Sequence, residues 1–253
     1  MPEGDTIHRA ATRLGAALGG RRIELADAPD PRSPIHRRAA QLEGRTLEAV
    51  EARGKHLLAH FSGDLVIHSH LGMNGRWRIR ADGRLPHGRA WLVLGAGRGV
   101  ASQAGGKLLR LVSESRVRND PGLMQLGPDP LRADYERYEA IRRLRGAGER
   151  EVGDALLDQR IIAGVGNAIR NEACYLVGVS PWRTVASLSD SQVESLVDET
   201  RGVMVESIRR GRRPRSIYRA NRRGGCPRCG SEIRSRGQGD ANRTAYWCPR
   251  CQD

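Results

Sequence analysis

The sequence predicts a two-domain α+β protein: a β-rich N-terminal domain led by one helix, then a helical C-terminal domain that ends in a small metal-held hairpin. Three observations carry that expectation. Short β-type segments broken by turn residues fill residues 21–117, helical periodicity takes over after residue 130, and two Cys-x-x-Cys pairs close the chain.

Ile7, Ala11, Leu14, Ala17 and Leu18 recur at helical spacing. They predict an amphipathic helix with Asp5 or Thr6 as its N-cap and Gly19-Gly20 as its stop. Seven strands are expected at 22–25, 46–52, 56–61, 65–70, 76–80, 90–94 and 108–112, a spacing that suits an antiparallel sandwich or barrel. Asn119-Asp120-Pro121-Gly122 and Gly127-Pro128-Asp129-Pro130 punctuate a connector. Helices follow at 135–144, 153–162, 167–177 and 191–208, and Cys174, inside an apolar run, reads as a packed core thiol. The expected boundaries are 1–118 for the β-rich domain, 119–130 for a hinge, 131–217 for the helical domain and 218–253 for the finger.

Cys226-Pro-Arg-Cys229 and Cys248-Pro-Arg-Cys251 are separated by eighteen residues, the spacing of a structural tetrathiolate zinc site. Each tight turn presents two thiolates on one side, and a tetrahedral ion needs two such turns facing each other. The alternative is disulfides, which a reducing compartment would not keep. One structural Zn2+ is therefore the expected cofactor, with no redox or organic group. Ile233 and the Thr244-Ala245-Tyr246-Trp247 run supply a hairpin with Gly237-Gln238-Gly239-Asp240 at its tip. A finger this small cannot bury a core of its own, so the metal replaces one.

Among 253 residues, 43 Lys+Arg stand against 29 Asp+Glu, a net charge of +14. From residue 201 on, fourteen arginines face four acids, which places ten of those charges in the last fifth of the chain. Eight of these arginines crowd between Arg209 and Arg223 with no acid among them, a density that asks for a polyanion. Phosphate neutralisation with counterion release makes nucleic acid the expected partner, the alternative being a solvated cationic surface. No stretch reaches the ~18 apolar residues of a membrane span, and the N-terminus lacks the apolar run of a secretory signal. A soluble cytoplasmic protein without a membrane partner is expected. Only Lys55 and Lys107 are lysines, so 41 of the 43 cations are arginine.

The head of the chain suggests chemistry. Loss of Met1 would leave Pro2 with a secondary amine, and an α-amine with a reference pKa of about 7.7–8.0 is partly neutral near physiological pH. Amines attack carbonyl-like carbons to form Schiff bases, and Glu3 beside it can move a proton. A helix-leading proline is the alternative. Gly164-Val165-Gly166-Asn167 joins two expected helices, where Asn167 can cap the second or donate to a phosphate.

Met1-Pro2-Glu3-Gly4-Asp5-Thr6, Arg53-Gly54-Lys55-His56-Leu57-Leu58, His68-Ser69-His70-Leu71-Gly72-Met73-Asn74-Gly75, Gly127-Pro128-Asp129, the 164–167 turn and the four-cysteine finger follow one another in order. Together they resemble the formamidopyrimidine-DNA glycosylase and endonuclease VIII family of base-excision repair enzymes, over essentially the whole chain and nearer the endonuclease VIII branch. The resemblance implies a β-sandwich, a helix–two-turn–helix module and a zinc finger. It implies a bifunctional glycosylase and abasic-site lyase that acts as a monomer on damaged double-stranded DNA in the bacterial cytoplasm and nucleoid. Pro2 would be the nucleophile, Glu3 the acid/base and Lys55 the phosphate-binding proton donor. Arg243 would hold the phosphates flanking the lesion and assist the second elimination, and Asn167 would bind phosphate. Keeping lysine at 55 in so arginine-rich a chain agrees with that role, because an ammonium is a compact, titratable point charge. Met73 would fill the gap left by the extruded nucleotide, and Gln125 stands where the branch often offers an arginine. An Arg-Phe-Gly turn of the purine-lesion branch is missing, 113–117 reading Ser-Glu-Ser-Arg-Val, and so is the Gln-Leu-Tyr wedge of the other branch. Oxidised pyrimidines are the first expectation, and 8-oxoguanine or formamidopyrimidine the second. A non-catalytic zinc-finger nucleic-acid-binding protein is the competing reading.

Overall fold

The computed structural model describes residues 2–86, 88–219 and 224–253; Met1 and residues 220–223, which close the arginine run, lie outside the described residues. The chain divides into two compact units, Met1–Met124 and Gln125–Asp253.

In the first unit, α1 (Gly4–Leu18) begins earlier than its sequence suggests. Glu3, not Asp5 or Thr6, is the N-cap, because its backbone carbonyl accepts the N–H groups of Thr6 (2.9 Å) and Ile7 (3.2 Å). Asp5 lies buried in the first turn, where a carboxylate suits the positive helix end. Gly19 closes the helix as expected, its N–H donating to the Gly15 carbonyl at 2.8 Å.

Among the described residues eight strands follow: β1 (Leu25–Asp27), β2 (Leu47–Arg53), β3 (His56–Phe61), β4 (Leu65–His70), β5 (Arg76–Arg80), β6 (Leu92–Ala96), β7 (Gly99–Ala104) and β8 (Leu108–Val112). They form two antiparallel four-stranded sheets, ordered β1-β6-β7-β5 and β2-β3-β4-β8. Leu57, Phe61 and Ile67 from one sheet meet Leu92, Leu94 and Ala101 from the other in a single core that also takes Ile7 and Leu14 of α1. The unit is therefore a sandwich and not a barrel. β7, a strand beyond the seven expected, escapes sequence reading because Gly99-Val-Ala-Ser-Gln-Ala104 lacks large alternating side chains, yet nearly all of it is buried between β6 and β5. The first expected strand shifts: residue 22 makes only an isolated bridge to Thr46, and the ladder begins at Leu25. The connector is also more ordered than its turn residues suggest. α2 (Glu114–Arg118) is capped by the Ser113 hydroxyl, and α3 (Pro121–Met124) starts on its proline, with Asp120 Oδ1 accepting the Leu123 N–H at 3.1 Å.

The second unit contains α4 (Arg137–Arg145), α5 (Val152–Ala155), α6 (Asn167–Val177) and α7 (Asp190–Arg209) around Leu144, Ile162, Ile169, Leu196 and Met204. α7 opens with a reciprocal Ser189/Gln192 capping box. The helix expected at 153–162 shrinks to α5, because the Asp158 carboxylate takes the Arg160 N–H (3.0 Å) and the Arg150 guanidinium (2.9 Å) and so favours turns over a continued helix. Cys174 is a core thiol as expected, burial pushing it up to about 12.

The hairpin is β9 (Arg234–Gln238) paired with β10 (Arg243–Trp247). Gln238, expected at an exposed tip, is only 3 % exposed and leaves the turn to residues 239–242. The finger also does have a small core, but a borrowed one: Ile233, Tyr246, Cys226 and Cys248 pack with Tyr175 of α6 and Ile217. Among the described residues, no helix is long and apolar enough to cross a membrane.

Candidate active site and metal centre

Each unit presents part of the predicted site. In the first, Pro2 is half-buried and Glu3 is 1 % exposed at the head of α1, which packs against β2 and β3. Lys55, half-buried, sits in the β2–β3 turn after Gly54, whose φ of 58° is the left-handed conformation glycine adopts without penalty. Met73 lies on the β4–β5 loop with 58 % of its surface exposed, as its glycine neighbours suggest. A side chain at Gly75 would come within 2.5 Å of the Leu71 carbonyl, so the loop's shape depends on that glycine.

The face of β3-β4-β8 turned away from the sandwich core carries a histidine cluster. Register pairs His56 with His70 and His68 with Arg110, and alternation puts all four side chains on one face. His56 Nδ1 and His68 Nε2 are 2.8 Å apart, His68 Nδ1 lies 3.2 Å from an Arg110 nitrogen, and Arg110 pairs with Asp120 at 2.7 Å. Burial, reinforced by neighbouring cations, pushes His56 down to about 3 and His68 and His70 to about 4; Lys107 and Lys55 both act on His70. The chain's only two lysines thus converge on one histidine. On the same sheet His60 behaves oppositely, raised by its hydrogen bonds to Glu51 and Glu114.

These shifts predict acid sensitivity. A histidine whose folded pKa is depressed lets the unfolded chain bind more protons as pH falls, so its stability is complete above about pH 7 and lost from 6.5 downward. For His68, 1 % exposed, the step from pH 6.5 to 5 costs about 2 kcal/mol at 1.36 kcal/mol per pH unit. His60 opposes this, stabilising below its raised pKa, but it is one group against three. Urea unfolding at pH 7.5 and pH 5 is expected to show a net loss at the lower pH, and His68→Phe a smaller one.

In the second unit, Asn167 and Arg243, 76 positions apart in sequence, are brought together. Gly166 is the N-cap of α6, and Asn167 is its first residue, with Nδ2 donating to the Thr244 carbonyl at 3.0 Å. Arg170, fully buried, donates to Asn167 Oδ1 and Gln238 Oε1, and to the carbonyls of Gly153 (3.2 Å), Arg243 (3.4 Å) and Thr244 (3.3 Å). Gln238, opposite Arg243 in the ladder, also donates to Glu151 (2.8 Å) and the Pro181 carbonyl (2.7 Å), and Asn171 Oδ1 accepts the Tyr246 N–H at 2.7 Å. One guanidinium thereby holds the α6 turn, α5 and both hairpin strands. Arg170→Met removes those donors from buried acceptors and should cost about 3 kcal/mol, read as a lowered urea midpoint. Gln125 is exposed, directly after α3.

The four predicted cysteines converge as well. Their Sγ atoms all lie within 4.8 Å of one another, with Cys226–Cys251 at 3.8 Å and Cys229–Cys248 at 3.5 Å. Bonds of about 2.3 Å to a tetrahedral zinc ion require thiolates roughly 3.8 Å apart, so the donor set and its size fit Zn2+.

Residues 1–109 match the family model of the formamidopyrimidine-DNA glycosylase N-terminal domain, 126–218 its H2TH domain, and 226–253 the zinc finger found in FPG and IleRS. The chain belongs to the formamidopyrimidine-DNA glycosylase family. It is 37 % identical over 267 residues to the probable endonuclease 8 2 of Streptomyces coelicolor, covering 100 % of this chain and 94 % of that protein. Identity is 36 % over 264 residues to endonuclease 8 2 of Mycobacterium tuberculosis, all of both chains, and 35 % over 263 residues to the DNA-(apurinic or apyrimidinic site) lyase Nei2 of Mycolicibacterium smegmatis, 100 % and 99 % covered. Lactococcus lactis Fpg, solved in complex with DNA containing an abasic site, has the same fold, with a TM-score of 0.84 at 23 % identity over 99 % of each chain. The expected family is thus the right one, and the finger of this glycosylase-family chain is a zinc finger built on one structural Zn2+. Sequence reading did not single out Arg170, Gln238, Arg110 or Lys107 as site residues. For Arg170 a signal was present: with Glu172 it is one of two charges in the run 167–177, three residues after Asn167 and four before Cys174.

Proposed function

We propose that this chain is a bifunctional DNA glycosylase and abasic-site lyase of base-excision repair that prefers oxidised pyrimidines. The observation that carries the reading is a Pro2-Glu3 head on α1, with Glu3 buried, in a chain aligned from end to end with endonuclease 8 proteins and a Nei2 lyase. Once Met1 is removed, the Pro2 nitrogen attacks C1′ of the damaged nucleotide. The C1′–N bond breaks and the base leaves with a proton. Glu3 moves the proton that opens the sugar ring, and the resulting iminium acidifies C2′, so that the 3′ and then the 5′ phosphate are eliminated. Lys55 neutralises phosphate and donates a proton. Arg243 and Asn167, tied together by Arg170, hold the backbone flanking the lesion. Met73 fills the vacated stack, and Gln125 contacts DNA at the start of the second unit.

The pyrimidine preference rests on the resemblance to the endonuclease VIII branch, because the wedge residues of both branches are missing here. Phe61, the chain's single phenylalanine, is buried in the sandwich core, and 113–117 forms the cap and body of α2, so an Arg-Phe-Gly wedge has neither its residue nor its turn. The protein acts as a monomer in the bacterial cytoplasm and nucleoid. A panel of duplexes carrying thymine glycol, dihydrouracil, 8-oxoguanine or an abasic site tests the reading. Thymine glycol and abasic strands should be cut fastest, and no cleavage of any of them would leave only a DNA-binding protein. Within that panel Glu3→Gln should keep DNA affinity and lose turnover, whereas Arg243→Ala should weaken binding and reduce its salt slope by about one.

A further inference from the structure

We propose that Arg110, His68 and His56 form a one-way hydrogen-bond relay that holds His56 as a neutral Nε2–H imidazole beside Lys55, and that these three are positioning residues for the Lys55 turn. The direction follows from donor chemistry. A guanidinium only donates, so the Arg110 nitrogen 3.2 Å from His68 Nδ1 meets a lone pair there. His68 then carries its proton on Nε2 and donates it to His56 Nδ1, 2.8 Å away. His56 in turn holds its own proton on Nε2, at the far side of its ring. The same logic applies to His70, whose Nδ1 accepts the Gly72 N–H at 3.1 Å. Three imidazoles share one tautomer.

The relay is anchored at its far end. The Arg110 nitrogen that donates to His68 also donates to Asp120 Oδ2 at 2.7 Å, and Asp120 caps α3. A continuous path of side chains therefore runs from the segment after α2, across β8 and β4, to the first residue of β3, directly after Lys55. His68 is 1 % exposed, with α2 packed on β4, so water does not compete for its bonds. Locking the His56 ring fixes the backbone on which the Gly54-Lys55 turn rests. Charge gives the neutral tautomer a second purpose. Lys55, Lys107 and Arg110 all act on this cluster, and Asp120, the carboxylate that acts on His56 and His68, is already paired with Arg110, so an imidazolium here would repel the lysine the reaction needs.

The positioning role rests on the glycosylase/lyase reading; the tautomers do not. Long-range 1H–15N spectra of the full-length protein at pH 7 should show His56 and His68 protonated on Nε2 and accepting on Nδ1, and an Nδ1–H form at either overturns the relay. In single-turnover cleavage of abasic-site DNA, Arg110→Leu and His68→Phe should each be about ten-fold slower, with affinity for uncut DNA changed by less than about three-fold. Arg110→Lys, which keeps a donor, should recover most of the rate and the wild-type tautomers. Wild-type rates in both Arg110→Leu and His68→Phe would overturn the positioning role. A wild-type protein that cuts no abasic DNA would overturn the enzymatic reading instead, and the spectra would still decide the relay.

Discussion

Protein that keeps any residue in front of Pro2, whether Met1 or a purification tag, will form no borohydride-trapped adduct with abasic-site DNA and will cut its strand at least about a thousand-fold more slowly, a loss of roughly 4 kcal/mol of transition-state stabilisation. The reason is electronic. An acylated proline nitrogen delocalises its lone pair into the amide, has no N–H to lose and cannot become an iminium. Glu3 stays buried and the finger is untouched, so affinity for uncut duplex should hold within about two-fold. Mass spectrometry of the N-terminus alongside the trapping gel makes the comparison clean. Equal trapping by the blocked and processed proteins would move the nucleophile to another amine, and Lys55 and Lys107 are the side-chain amines available.

Zinc removal should have the next largest effect. One equivalent of metal is expected to leave under a strong chelator, and DNA affinity to fall by about a hundred-fold or more by fluorescence anisotropy. Zinc binding contributes roughly 10 kcal/mol or more to small fingers, and here it is the folding energy of the hairpin. The apolar cluster beneath the metal has few members and borrows Tyr175 from α6 to exist at all. Arg243 opens β10, so a melted hairpin scatters the guanidinium proposed to hold the DNA backbone. α4, α6 and α7 keep their own core, and helical circular dichroism should change little. Chelated protein that still binds DNA with its original affinity would sink this account of the finger. Cys248→Ala, which breaks the ligand set at a buried cysteine, should reproduce the chelator's effect.

Several parts of the site are legible in the order of residues alone because their chemistry is encoded at short range. Two Cys-x-x-Cys turns state a tetrathiolate centre by spacing, and the four Sγ atoms do converge. Strands β3, β4, β5 and β8 stand where the alternation of side chains places them, and α6 begins at Asn167 as the glycine turn indicates. Where local pattern is weak, it misleads. β7 is built from small residues and becomes a strand by lying between two others, and the helix expected through residue 162 stops at Ala155 because Asp158 satisfies backbone and arginine donors nearby.

The sequence by itself determined the two-domain plan, the metal centre and the family, and it pointed to Pro2 as the proposed nucleophile. Tertiary structure alone decided which residues support that equipment: Arg170 beneath Asn167 and Arg243, Gln238 turned inward from a supposed tip, and the Asp120–Arg110–His68–His56 path toward Lys55. The physical reason is that ligand spacing and periodicity are properties of neighbouring residues, whereas burial, tautomer and protonation state are set by whatever packs opposite. Those partners lie 10 to 73 positions away along the chain, and only the folded backbone brings them within hydrogen-bonding distance.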